Sequence, residues 1–355
     1  MKIGDRTRGI GVAILAAVLF GASTPFSKLL LGQIEPLLLA GFLYLGSGIG
    51  LTLWLAGRRL MIKGEARETG LHRHDLPWLA AAILAGGIVA PILLMLGLAV
   101  TPASSVSLLL NLEGVLTALL AWFVFKENFD SRVLMGMAAI LAGGLLLSWQ
   151  ASPEWGVPWG ALAIAGACLG WGIDNNLTRK VSAADPAQIA AIKGLVAGSV
   201  NVVLAIIAGA RIPAISHVAL AGLLGFFSYG VSLSCFVLAL RHIGTARTGA
   251  YFSTAPFIGA ALSLAILPEH GSVLFWIAGG LMIIGIWLHL TEKHTHQHRH
   301  EPITHEHLHW HDEHHQHRHS PTDPPGEPHS HVHQHEELVH SHLHYPDLHH
   351  RHGHG

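Results

Sequence analysis

Ten long apolar segments, separated by short polar breaks, constrain the fold of this chain more than any other feature. A helix needs roughly 20 apolar residues to cross a hydrocarbon core about 30 Å thick. Long apolar runs without period-two alternation favour helices over the strands of a membrane barrel. We therefore predict an all-α integral membrane protein with ten spans, numbered in chain order, at residues 10–31, 36–57, 77–98, 103–125, 132–149, 158–178, 187–209, 218–240, 246–267 and 272–290.

The composition agrees with a membrane protein and excludes other classes. Only 12% of the residues are charged, against about 25% in soluble proteins. The net charge of -1 gives no basic surface for nucleic acid. Cys168 and Cys235 lie inside apolar segments, which favours buried small side chains over a disulfide framework. The expected partners are the lipid bilayer and a small-molecule or ion substrate, and a homodimer remains an open alternative.

Lysine and arginine residues lie mostly on one side of the predicted spans. If the N-terminus is cytoplasmic, the inside segments hold 15 of them, whereas the outside has only Arg211 and, near the outer end of span 1, Lys28. Cytoplasmic segments carry this excess in membrane proteins. We therefore expect a multi-pass protein of the inner or plasma membrane with both termini in the cytoplasm.

The two halves of the chain repeat each other. Residues 20–28 of span 1 match residues 171–179 of span 6 at an offset of 151, each beginning with an aromatic-Gly pair. Span 4 matches span 9 at an offset of 143, which aligns Glu113 with Pro256. Five spans per repeat give the halves opposite orientations, an arrangement common in secondary transporters. Chance alignment of two Gly/Ala/Leu-rich segments is the alternative.

Residues 19–28, together with residues 116–122 and the Glu127 that follows span 4, resemble the drug/metabolite transporter superfamily, specifically proteins with two EamA domains. The resemblance implies a ten-helix transporter of small organic molecules. It divides the chain into an EamA-like repeat at 9–149, a second at 156–290 and a histidine-rich tail at 291–355. The family usually has proline in span 4 where this chain has Glu113, while the second repeat keeps Pro256.

Glu113 is the first candidate for a coupling carboxylate. It lies about midway along span 4, where a charge costs at least about 2.5 kcal/mol, so its carboxyl group must be paired, hydrated or protonated. The alternative is a neutral Glu113 that hydrogen-bonds to a neighbouring helix.

Asp174 and Lys193 are the other charges inside the spans, and both lie near the inner face of the second repeat. We predict an ion pair between them, because an isolated buried charge is costly. The pair could act as a gate or as a structural clamp. Five further residues are weaker candidates for the transport path, and packing or interface anchoring is the alternative for them: Asn111, Trp171, Asn175, Tyr251 and Pro256.

No catalytic set is recognisable, since the chain has no P-loop, no His-Glu-x-x-His and no Ser/His/Asp grouping. We therefore expect neither an enzyme nor an ATP-driven pump, and no required cofactor.

The tail after residue 293 contains 23 of the 29 histidines. Alternating histidines in an extended chain share one side, so their imidazoles can converge on a metal. The scattered prolines predict a disordered tail when no metal is bound. A pH-responsive tail and a mere low-complexity extension are alternatives. We expect a divalent transition metal (Zn, Ni, Co or Cu) on His294, His296, His298, His300, His305, His307, His309, His311, His314, His315, His329, His331, His333, His335, His340, His342 and His344.

The spans themselves offer no mid-membrane histidine, because the other six histidines lie in loops or at span ends. This pattern favours a secondary transporter that moves a small polar metabolite and also has a metal-binding tail. Two alternatives remain open: a divalent transition-metal transporter, and a membrane metal sensor that transports nothing.

Overall fold

The computed structural model describes residues 3–61, 71–125, 131–150, 158–178, 181, 185–243 and 245–290, and four tail segments named below. These residues form ten helical spans at the predicted places. Six spans are single helices: span 1 is Ile3–Leu30, span 2 Pro36–Met61, span 5 Ser131–Gln150, span 6 Trp159–Thr178, span 7 Pro186–Ile207 and span 10 Val273–Leu290.

The other four spans are segmented, in pairs that are equivalent in the two repeats. Span 3 is Leu76–Ala82, a π-helical segment Ile83–Val89 and Ala90–Val100, and span 8 is Ile215–Gly225, a π-helical segment Phe226–Val231 and Ser232–Ile243. Span 4 is Ala103–Leu109 and Leu112–Phe125, and span 9 is Thr245–Phe252 and Ala255–Ile266.

Length and hydropathy support the membrane assignment. Eight of these described spans are long and apolar enough to cross a membrane, and Val273–Leu288 is a shorter apolar helix. The remaining span, span 6, carries Asp174, Asn175 and Asn176 near its end, and such side chains lower the hydropathy of a helix. The predicted all-α integral membrane fold is confirmed.

Contacts between the spans follow the repeat. Span 1 packs against spans 8 and 9, and its counterpart span 6 packs against spans 3 and 4. Span 2 pairs with span 7, and span 5 pairs with span 10. Each equivalent helix therefore has equivalent neighbours, as two inverted repeats require.

Spans 2 and 7 approach each other closely through glycine. A Cβ atom at Gly194 would lie 2.6 Å from the backbone nitrogen of Gly48, and one at Gly198 would lie 2.5 Å from that of Leu45. Small residues at membrane helix interfaces allow this approach, because dispersion contacts replace the missing hydrophobic driving force. The glycines therefore determine how closely the two repeats are joined at this pair.

Four short strands lie in the tail: β1 Thr295–His300, β2 Thr304–His309, β3 His329–Gln334 and β4 Leu338–Leu343. β1 pairs with β4 and β2 with β3, both antiparallel. These four segments contain no proline and alternate in residue type as strands do. Several predicted metal ligands lie outside the described residues: His294, His311, His314, His315, His335 and His344.

The close packing of spans 2 and 7 leads to a stability prediction. We expect Gly194→Ala to lower the free energy of unfolding by about 1–3 kcal/mol, since overpacking a dense interface forces the backbones apart. Gly280→Ala on span 10 is the matched control, because a Cβ there meets nothing within 4 Å. Thermal unfolding in detergent measures both. Equal stability of the two variants would contradict the proposed role of Gly194.

Candidate transport site

A buried ion pair joins spans 6 and 7. Lys193 Nζ donates to both carboxylate oxygens of Asp174 at 2.6 Å, and Thr178 Oγ1 donates to Asp174 Oδ1 at 2.8 Å. Asp174 is buried and Lys193 partly buried. The predicted ion pair is present. Since each charge has its counter-charge within hydrogen-bonding distance, both can remain inside the bundle.

Gly86, in the π-helical segment of span 3, makes room for this pair. A Cβ atom at Gly86 would overlap the side chain of Asp174. The structure shows that the missing side chain of Gly86 is the space that the Asp174 carboxylate occupies.

The carbonyl of Gly86 also has no regular helical partner. The N–H of Ala90 donates to Ala85 instead, and Pro91, next in the chain, has no N–H to give. Two side chains use this free acceptor: Tyr44 Oη donates at 2.9 Å and Trp171 Nε1 at 3.0 Å. The π-helical segment thereby ties spans 2, 3 and 6 together beside the ion pair, and irregular segments of this kind occur frequently at functional sites.

Glu113 lies at the break in span 4. Glu113 is in the first turn of the helix Leu112–Phe125, where the positive end of the helix dipole favours a carboxylate. Asn175 Nδ2 donates to Glu113 Oε1 at 2.9 Å and lies 3.4 Å from Thr117 Oγ1. Asn176, beside it, donates to the Thr117 carbonyl at 3.2 Å. The asparagines of span 6 therefore hold the second half of span 4.

The equivalent position in the other repeat is apolar. Pro256 aligns with Glu113 and Thr24 with Asn175, and Pro256 and Thr24 both line a small cleft. The buried Ser107 Oγ, also in its lining, has no hydrogen-bond partner among the described residues. The two breaks are equivalent in backbone, but only the break in span 4 carries a carboxyl group at this position, so the site is asymmetric.

The side chains of two predicted residues contact groups other than Glu113 and Asp174. Asn111 Nδ2 donates to the Leu108 carbonyl at 2.9 Å and lies 3.7 Å from Met282 Sδ of span 10. Tyr251 packs against a cluster around Ala13 and Ala239. The structure therefore brings together Glu113, Trp171, Asp174, Asn175 and Lys193, with Pro256 at the equivalent break and Asn111 and Tyr251 in other contacts.

Tyr229 was missed by the sequence analysis. It lies in the π-helical segment of span 8, with its ring centroid 5.6 Å from that of Tyr44 and 6.0 Å from that of Phe20. The repeat offset of 143 aligns Tyr229 with Gly86, which is the signal that could have found it. The aromatic rings of spans 1, 2 and 8 thus continue the site across the repeat interface.

Two further side chains that the sequence analysis did not select hold the turn between spans 3 and 4. Lys28 Nζ donates to the carbonyls of Leu98 at 2.6 Å and Thr101 at 2.9 Å. Glu269 accepts from the N–H groups of Ala103 at 2.7 Å and Ser104 at 2.9 Å. A cation at a helix C-terminus and an anion at the next N-terminus are both favourable. Lys28 and Glu269 close this end of the bundle.

Inverted repeats with broken helices at their interface are found in many membrane transporters. Residues 7–149 and 158–291 both match the EamA-like transporter family. The chain therefore belongs to the EamA-like transporter family and is a multi-pass membrane transporter. The match ends at residue 291 and does not include the histidine-rich tail.

Relatives are similar over most of the two repeats. A transporter of Methanothermobacter thermautotrophicus, described as uncharacterized, is 27% identical over 78% of this chain and 84% of its own length. The inner membrane transporter YedA of Escherichia coli K12, also described as uncharacterized, is 24% identical over 73% of this chain and 83% of its own. A protein crystal structure shares the fold, with a TM-score of 0.57 at 17% identity, covering 79% of this chain and 95% of that one.

The ion pair leads to a prediction about coupling between its partners. Lys193→Met should lower the free energy of unfolding by about 3 kcal/mol, because it leaves the Asp174 carboxylate buried without a counter-charge. Adding Asp174→Asn should recover much of this loss, since the double variant buries no charge. Thermal unfolding of the wild type, the two single variants and the double variant measures the coupling. Strictly additive losses would show that the pair contributes no net interaction.

Proposed function

We propose that the chain moves a small polar organic solute by alternating access between its two repeats, with Glu113 as the coupling carboxylate. The observation that carries the proposal is the 2.9 Å hydrogen bond from Asn175 to Glu113. It joins the broken span 4 to span 6, one residue along from Asp174 of the buried ion pair. A polar solute or a proton that binds Glu113 Oε1 would compete with Asn175 for that oxygen.

This competition gives a physical basis for the movement. While Asn175 donates to Glu113, the second half of span 4 is held against span 6. A solute donor group, or a proton on the carboxylate, would replace that hydrogen bond and weaken the link. The ion pair and the shared Gly86 acceptor keep spans 2, 3, 6 and 7 together, so span 4 is the element that we expect to move.

The interior favours an organic solute over a transition metal. The group of three potential metal ligands found among the described residues is His72, His74 and Asp75, at the start of span 3. Around Glu113 the donors are amide, hydroxyl and carboxylate groups, which bind polar organic groups and hard cations. We expect transport and not catalysis, with both termini cytoplasmic because Lys and Arg concentrate on that side.

We further propose that the tail binds a divalent transition metal. In the β1–β4 pair, His296 lies opposite His342 and His298 opposite His340. Directly opposed positions of an antiparallel pair have Cβ atoms about 4.5–5.5 Å apart. The second pair, β2–β3, has three such oppositions, at His305 and His333, His307 and His331, and His309 and His329. The strand register thus supports metal sites shared between strands.

Transport should depend on Glu113. We expect Glu113→Gln to abolish or strongly reduce export or uptake, because the amide cannot ionise, and to leave protein abundance in the membrane unchanged. Glu35→Gln is the matched control, since Glu35 is exposed between spans 1 and 2. Comparing metabolites in cells and medium for wild type, both variants and an empty vector measures the effect. Unchanged solute distribution in Glu113→Gln would disprove the coupling role.

Elemental mass spectrometry of cells under Zn, Ni, Co and Cu load separates the alternative functions. The proposal predicts cellular metal that is unchanged, or that follows the tail alone when the chain is truncated after Glu292. A metal shift that vanishes in Glu113→Gln would show that the core moves the metal. A signalling response lost on truncation, with no solute flux in the full chain, would favour the sensor.

The strand register of the tail leads to a separate prediction. Replacing His305, His307 and His309 of β2 by Gln in the full chain should lower the bound metal and also weaken the sites that use β3, because each site needs both strands. The matched control replaces His311, His314 and His315, three further predicted ligands that follow β2 in the chain. Metal content of the dialysed protein measures both. An equal loss in the two triple variants would contradict sharing between strands.

A further inference from the structure

The turn that begins span 3 brings together three metal-binding groups outside the transport site and outside the tail. His72 precedes the 3₁₀ turn Arg73–Asp75, which leads directly into Leu76. Spans 3 to 10 separate this turn from the tail, and an even number of crossings places both at the same membrane face. Under the proposed orientation that face is cytoplasmic, where metal collected by the tail is also present.

The three groups are close and partly preorganised. His74 Nε2 lies 3.2 Å from Asp75 Oδ1, and His72 Nδ1 lies 3.9 Å from Asp75 Oδ2. The two imidazole rings stack, with centroids 5.4 Å apart and planes inclined by 22°. One ligand atom from each of the three residues lies within 4.8 Å of the others.

Helix capping explains part of this arrangement. Asp75 accepts from the His72 backbone N–H at 2.9 Å, and its own N–H donates to the His72 carbonyl at 3.0 Å. These bonds account for the buried carboxylate and for the backbone of His72. They do not involve either imidazole, and the side chains of His72 and His74 are 60% and 80% exposed. A protonated imidazole would pair with the carboxylate at these distances, and a bound cation would take the place of that proton.

We propose that His72, His74 and Asp75 bind one borderline divalent cation, such as Zn²⁺, Ni²⁺, Co²⁺ or Cu²⁺, independently of the tail. Two imidazole nitrogens and a carboxylate oxygen are ligands that these ions accept. Zinc bonds to such ligands are about 2.0–2.2 Å long, so the ligand atoms must close by roughly 1 Å. Rotation of two exposed side chains provides that movement while the backbone of the turn stays as it is.

The three residues would occupy three of the ion's coordination positions, and the others would be left for water or a further donor. Span 3, which starts at this turn, also contains Gly86 against Asp174. Occupation of the turn would therefore place a bound cation at the end of the helix that contacts the transport site.

Chemical labelling of histidine in the full-length protein tests the site at single residues. Diethyl pyrocarbonate modifies free imidazole nitrogens, and peptide mass spectrometry reports each histidine separately. In detergent at pH 7 with Zn²⁺, we expect His72 and His74 to be labelled several-fold more slowly than without the metal. His270, exposed and outside this cluster, is the control within the same sample and should keep its rate.

The variant His74→Gln distinguishes the chelate from other causes of protection. It removes one ligand from an exposed position, so His72 should regain its metal-free labelling rate in the presence of Zn²⁺. The control variant His270→Gln should leave the protection of His72 unchanged. Equal labelling of His72 and His74 with and without Zn²⁺ would overturn the proposal. Protection of His72 that persists in His74→Gln would overturn it as well.

Discussion

A polar group inside a membrane protein must find its partner within the protein, because hydrocarbon offers none. The Asp174–Lys193 pair is a clear example among the described residues, and much of the candidate transport site is arranged around it. Its carboxylate fits only because span 3 has glycine at position 86. The pair also holds span 7 against span 6, and span 7 packs tightly on span 2. Four of the ten spans are thus connected through one pair of charges and the glycines around it.

The same constraint explains why the irregular segments lie where they do. A π-helical segment and a proline leave the Gly86 carbonyl without a backbone donor, and Tyr44 and Trp171 donate to it instead. The break in span 4 exposes a helix N-terminus, and Glu113 lies in its first turn. Each local departure from a regular helix therefore has side chains that satisfy it. Such departures from a regular helix place polar groups in the interior of a membrane transporter. The packing of the remaining helices can offset the free-energy cost of the lost backbone hydrogen bonds.

The two repeats share a backbone and differ in chemistry. Both have a π-helical segment in their third span and a break in their fourth. Glu113 and Asn175 occupy one break, whereas Pro256 and Thr24 occupy the other. Of the two breaks, only the one in span 4 has an ionisable group at these aligned positions, so the proposed competition for a carboxylate oxygen applies to that break alone. The proposed mechanism depends on this chemical difference between the two breaks.

The sequence by itself determined the membrane class, the places of the ten spans and the repeat, because hydrophobic length and repeated residues are properties of the chain alone. It also indicated Asp174 with Lys193, since two isolated charges at similar depth have few other partners. The tertiary structure decided that Glu113 meets Asn175, that Gly86 accepts from Tyr44 and Trp171, and that Tyr229 belongs beside them. It also showed that the side chains of Asn111 and Tyr251 contact other groups. These contacts join spans that are distant in sequence. The face that each helix presents to its neighbours depends on the close packing of glycines and on helix breaks, and neither can be read from hydropathy.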